Sequence, residues 1–262
     1  MIEEDWNKLC NEASIKMVEH IKHYVTPISK VLSTESGEHL GTGSYFELNR
    51  KKYLITNEHV AKYIKNNSLT HKFLNNENII KLTNPEISIK HPIDVAISEI
   101  EDTSWSLHEH ESAPIPFERF AKKHNTVLDE VLFFVGYSGE RSNFYFGVLN
   151  TPGTPYLTQE IPFPSNVQDA DSDYHFALHY SPDKATSVDG TSSLPNPHGF
   201  SGSLVWDTKF VACMQSGKEW SPEMAEVTGI VWGWPSSEAC ILVTKVEHFN
   251  LKQLTQAPIV NA

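Results

Sequence analysis

The chain has 262 residues, 39% hydrophobic and 21% charged, so a substantial apolar core can form and global disorder is excluded. A formal net charge of -12, with no Lys/Arg stripe interleaved with aromatics, argues against nucleic acid and anionic membranes as partners. Three cysteines, Cys10, Cys213 and Cys240, are odd in number and far apart, which supports neither a disulfide framework nor a thiolate metal site.

In chain order, residues 3–25 carry Trp6, Leu9, Cys10, Ala13, Met17, Ile21 and Tyr24 at spacings of three and four, which predicts one amphipathic helix ended by Pro27. The acidic start "MIEEDWNKLC" lacks the basic residues and apolar run of a secretory signal, and no apolar stretch is long enough to span a membrane. A reducing cytoplasm is therefore the expected compartment. Beyond Pro27 the period changes to that of strands: "PISKVLS", "GTGSYFEL", "KYLIT", "NIIKL", "EISIK" and "DVAISEI", with room for one short helical turn in "EHVAKYIKNN". Residues 101–128 are polar, contain proline and read as a connector.

A second group of strands follows: "EVLFFVGY", "NFYFGVL", "DYHFALHY", "GSLVWD", "FVACMQ", "VTGIVWGW" and "ILVTKV". In "YHFALHY" apolar and other residues alternate, predicting a half-buried strand. Residues 181–198 show no period and read as a long loop, and "KVEHFNLKQL" as a short closing helix. Successive strands lack the intervening helices of an α/β sheet. The expectation is an all-β protein of two packed antiparallel six-stranded barrels, with an N-terminal helix (1–25), a first barrel and connector (26–128), and a second barrel with a short C-terminal helix (129–262).

The motif that bears on function is "NPHGFSGSLVW". Alone, a serine between glycines before a strand reads as an ordinary turn. A serine hydroxyl becomes a nucleophile only with a base in reach and an acid that fixes the tautomer of the base. Upstream, "YLITNEHVA" puts His59 where a hydrophobic strand ends, and "HPIDVAISEI" puts Asp94 immediately before a buried one. An α/β-hydrolase elbow fits less well, although Asp207 and His248 could nominally serve it. Ser203 stands where that motif has glycine, a strand follows the serine, and little chain remains to build the sheet.

In this order, "GTGSYFELNRKKYLITNEHVA", "DVAISEI" and "GFSGSLVW" resemble the chymotrypsin/trypsin-like serine endopeptidases, with the closest flavour that of the bacterial and viral branch. The resemblance spans residues 28–249 but fixes only short islands. It implies a double β-barrel and a triad of His59 as general base, Asp94 as orienting acid and Ser201 as nucleophile. The backbone N–H groups of Gly199 and Ser201 would form the oxyanion hole, with no metal or organic cofactor and a protein or peptide as substrate. Base and acid would lie in the first barrel and the nucleophile in the second.

Departures from the family pattern are informative. Phe200 stands where digestive members carry the aspartate that pairs with a newly cut N-terminus, and Ser203 replaces a glycine, which is tolerable at negative φ. The specificity pocket would be walled by "LPNPHG" and by Trp232, Gly233 and Trp234, with Ile241 opposite and no acid at its floor. A solvated loop is the expectation for His108 and His110 and for "DADSD", and a surface position for His20 and His23. The alternative to an endopeptidase is an inactive or partner-gated protein of the same fold, serving as a binding or regulatory module.

Overall fold

The N-terminal stripe folds as one helix, α1 (Glu3–Ile21), in the computed structural model, which describes residues 3–33, 36–66, 69–84, 86–145, 148–165, 167–182 and 194–256. Ala13, Met17 and Ile21 are buried, as their spacing requires. The helix stops short of the expected residue 25 because Val25 already opens a strand paired with Ser44.

The first half contributes β1 (Val25–Val31), β2 (Gly37–Leu48), β3 (Lys51–Thr56), α2 (Glu58–Ala61), β4 (Leu69–Lys72), β5 (Ile79–Lys81), β6 (Ile87–Ile89), β7 (Val95–Ile100), α3 (Asp102–Leu107) and β8 (Ile115–Pro116). These strands form one sheet in the order β5-β4-β1-β2-β3-β7-β6, and β8 joins β2 in parallel. It is an eight-stranded sheet where a six-stranded barrel was expected; among the described residues its outer strands, β5 and β6, share no ladder. Alternation sorts its side chains: Tyr45, Leu54 and Ala96 enter the core of this half, while Phe46, Ile55 and Ile97 face α1 and the second half.

The second half contributes β9 (Val131–Tyr137), β10 (Asn143–Tyr145), β11 (Val148–Asn150), β12 (Gly153–Ile161), β13 (His175–His179), β14 (Leu204–Asp207), α4 (Phe210–Ser216), β15 (Glu226–Gly233), β16 (Cys240–Lys245) and α5 (Leu251–Leu254). Six of them close a barrel in the order β12-β13-β16-β15-β14-β9, the Greek-key arrangement of a chymotrypsin-like fold. The connector holds α3 and β8, and the closing segment a 3₁₀ turn and α5.

Four local expectations change. "FVACMQ" is the helix α4, not a strand: the buried Glu130 carboxylate accepts the N–H groups of Val211 (2.9 Å) and Ala212 (3.0 Å), and Gly217 closes the other end in the left-handed region. "GTPYLTQEI", not among the expected strands, is the barrel strand β12, whose proline lies where β12 pairs with β9 alone. The described residues of "NFYFGVL" fall in β10 and β11, a separate antiparallel pair outside the barrel. Strand β13 is buried on both faces up to His179, because Phe163, Val167 and Trp232 cover its outer side over Ala177.

In the first core, His71 on β4 is buried and meets the Tyr45 hydroxyl at 2.7 Å. Burial, reinforced by His108 and His110, pushes its imidazole down from the ordinary 6.5 to about 3. The fold accommodates the neutral ring, whereas the unfolded chain takes up a proton near pH 6.5. This contribution to stability is complete above pH 6.5 and is lost as pH falls from there toward 3, by up to about 1.4 kcal/mol per unit. Urea unfolding at pH 7 and pH 5 should show wild-type stability dropping more steeply than that of His71→Gln; parallel losses would refute the assignment.

Candidate active site

His59 lies in the first turn of α2, immediately after β3 ends at Thr56 and Asn57 breaks the strand. Asp94 occupies the left-handed region (φ 53°) just before β7, a conformation aspartate tolerates. The turn brings the two together. The Asp94 carboxylate accepts the His59 backbone N–H at Oδ1 (3.0 Å) and Nδ1–H at Oδ2 (2.6 Å). Asn57 Nδ2 donates to the Asp94 carbonyl (2.7 Å), pinning the acid's backbone as well. Asp94 is only 6% exposed, whereas the His59 side chain is 41% exposed. The pair thus fixes the tautomer with the proton on Nδ1 and leaves Nε2 as the free basic atom at the surface.

Ser201 comes from the second half, on the turn entering β14. The turn is fastened to the first half through "GTG": Thr42 N–H donates to the Ser201 carbonyl (2.8 Å) and Thr42 Oγ1 to the Gly199 carbonyl (2.8 Å). A Cβ on Gly41 would stand 3.0 Å from the Ser201 carbonyl and 2.9 Å from the side chain of Val60, the neighbour of His59. Gly202, at φ 92°, packs so closely on the Thr42 carbonyl and Thr56 that a side chain there would overlap both. These contacts bring the Ser201 turn beside the His59 helix. The half-buried Ser201 makes no side-chain hydrogen bond to a described residue, His59 included.

The backbone around Ser201 is held by two carbonyl hydrogen bonds. Gly139 N–H donates to the His198 carbonyl and Ser203 N–H to the Phe200 carbonyl, each at 2.9 Å. In a trans peptide N–H and C=O point opposite ways, so the Gly199 N–H points away from Gly139 and the Ser201 N–H away from Ser203. Neither N–H donates to another described residue. The left-handed Gly199 (φ 101°) also leaves no room for a Cβ, which would sit 2.6 Å from His39 Nε2. Ser203 does not have positive φ, so the missing second glycine costs nothing there.

Phe200 points into the second barrel, edge-on to Phe134 and Tyr180, with ring centroids 5.7 and 5.9 Å away. Its burial contributes about 1.5–3 kcal/mol to the core. The expected pocket wall divides: a bulge between Val231 and Gly233 leaves Trp232 on the outer face near His91 and His175, while Trp234 packs toward the barrel core. Gly233 lies opposite Leu242, and Ile241 is fully buried in the core beside Phe200. His198 meets Trp234 edge-on at 5.5 Å, bridging the segment before Ser201 and β15. Residues 183–193, most of the long loop, lie outside the described residues.

Other histidines have structural surroundings. His110 lies in a loop as expected but is not solvated, since it stacks on Phe73 at 4.0 Å. His20 is half-buried against Tyr24 and Trp206 rather than on the open surface, while Asp169, Asp171 and Asp173 are exposed as expected. Asp207 is held by Lys209 (2.7 Å). Thr42, Asn57 and Gly139 carry site geometry that sequence reasoning did not assign. The only signal was that the first two fall inside the quoted "GTG" and "TNEHV" motifs.

No family model matches the chain, and no curated protein does. Among solved structures it is similar to catalytically active tobacco etch virus protease complexed with product, at 13% identity and TM-score 0.49, over 89% of this chain and 77% of that one. It is also similar to an inactivated protease paralogue of the scabies mite, at 13% identity and TM-score 0.49, over 92% of this chain and 96% of that one. The first of these is an active protease and the second an inactivated one.

Proposed function

We propose that the protein is a serine endopeptidase of the chymotrypsin-like class, and its "GTG" and "TNEHV" motifs favour the bacterial and viral branch. The observation that carries this reading is the doubly held His59–Asp94 pair, whose Nε2 bonds no described residue, on the helix that shares Gly41 as a neighbour with the Ser201 turn. In this scheme His59 takes the proton of Ser201 as the hydroxyl attacks the scissile carbonyl, and the N–H groups of Gly199 and Ser201 hold the oxyanion. His59 then protonates the leaving amine, and water repeats the sequence on the acyl-enzyme. Cys10, Cys213 and Cys240 are free thiols, which suits a cytoplasmic site of action; among the described residues no helix is long and apolar enough to cross a membrane.

The proposed substrate carries a small or medium apolar residue, such as Ala, Val or Leu, before the scissile bond. An ammonium in a dry slot needs a carboxylate partner, and the segment 194–199 offers none, while Glu238 is exposed. The Trp234–His198 contact narrows the slot against large aromatics. A serine-directed fluorophosphonate probe should label the full chain, and a peptide-library digest should show cleavage after small apolar residues. Dominant cleavage after Arg or Lys would overturn the pocket assignment. Absence of both labelling and cleavage would leave the fold as a binding or regulatory module.

A further inference from the structure

The turn that presents Asp94 belongs to the first half but is gripped from the second. His175, the first residue of β13, is buried and has both ring nitrogens engaged. The Asp171 N–H donates to Nδ1 (3.0 Å), so Nε2 carries the proton and donates it to the Pro92 carbonyl (2.7 Å). Directly opposite His175 in the β13–β16 ladder stands Thr244, whose hydroxyl donates to the next carbonyl, that of Ile93 (3.0 Å). One cross-strand pair therefore holds two consecutive carbonyls immediately before Asp94. Burial lowers the affinity of His175 for a second proton, which keeps the ring in the neutral form that makes both bonds.

We propose that His175 is a positioning residue for the His59–Asp94 pair: with Thr244 it clamps residues 92–93 from the second barrel and so fixes the carboxylate against the imidazole. This rests on the reading of Asp94 as the orienting acid. The turn's own bonds, Ile93 N–H and Asp94 N–H to the Lys90 carbonyl, are 3.2 and 3.3 Å long, and Asn57 holds the Asp94 carbonyl from the first half, so the clamp is the hold on residues 92–93 from the second. A displacement of about 1 Å at such a contact can cost on the order of 10²-fold in rate.

The test reads the pair directly, as the low-field proton resonance of His59 Nδ1–H in the full chain, assigned by its loss in His59→Gln. In His175→Leu, which has no donor, the resonance should move upfield and broaden, and kcat should fall about 10²-fold with KM little changed. His175→Gln, whose amide N–H can reach the Pro92 carbonyl, should restore both. An unmoved resonance in a His175→Leu protein shown to be folded by circular dichroism would overturn the proposal, as would equal shifts in the Leu and Gln variants. Should His175→Leu fail to fold, Thr244→Val removes the other half of the clamp, and an unmoved resonance there counts equally against it. The resonance reports on the pair whether or not the protein cleaves anything, so a shifted signal in a protein without hydrolase activity would refute the endopeptidase reading and leave the clamp standing.

Discussion

Ser201→Ala is expected to abolish covalent labelling by a fluorophosphonate and to lower peptide cleavage on the order of 10⁶-fold, the scale on which triad enzymes lose turnover without their nucleophile. The fold should survive, because Ser201 is anchored by its carbonyl and not by its hydroxyl: Thr42 N–H bonds the carbonyl at 2.8 Å. Ser203→Ala provides the internal comparison. The Ser203 hydroxyl is fully buried and has no hydrogen-bond partner among the described residues, so removing it should leave labelling intact and stability unchanged or slightly raised. If Ser203→Ala silences the protein and Ser201→Ala does not, the nucleophile has been misassigned.

Asp94→Asn should cost on the order of 10⁴-fold in kcat with the fold retained. The carboxylate receives two donors from one residue, the His59 backbone N–H on Oδ1 and the ring Nδ1–H on Oδ2. An amide offers one acceptor oxygen and one donor group in those places. If its oxygen keeps the backbone N–H, its NH₂ faces Nδ1 and turns the imidazole to the tautomer protonated on Nε2, which cannot take the serine proton. If the amide flips, the ring bond survives but a buried N–H is set against the His59 amide. Either arrangement removes the base or strains the turn. Steady-state kinetics of Asp94→Asn within about tenfold of wild type would show that Asp94 does not orient the base.

Much of the site was legible because its parts are local. His59 follows a hydrophobic strand, Asp94 precedes one, and Ser201 sits in a glycine turn, so the chain's own alternation delivers each to an element end. The second half's closed barrel was foreshadowed by its strand count.

What could not be read depends on partners distant in the chain. α4 is helical because Glu130 caps it from about 80 residues upstream, against the β-like pattern of "FVACMQ". β12 is a strand despite Pro155 because only one neighbour pairs with it there. Trp232 and Trp234, two apart and expected on one wall, part company because a bulge shifts the register between them, and in a period of two a single residue reverses the face. By itself the sequence determined which residues are the candidates and in what order, since each stands in a short local motif that the family resemblance picks out. Only the tertiary structure decided how they are held, with Thr42 on Gly199, Gly139 on His198 and His175 on Pro92, because a hydrogen bond depends on distance in space and leaves no periodic trace along the chain.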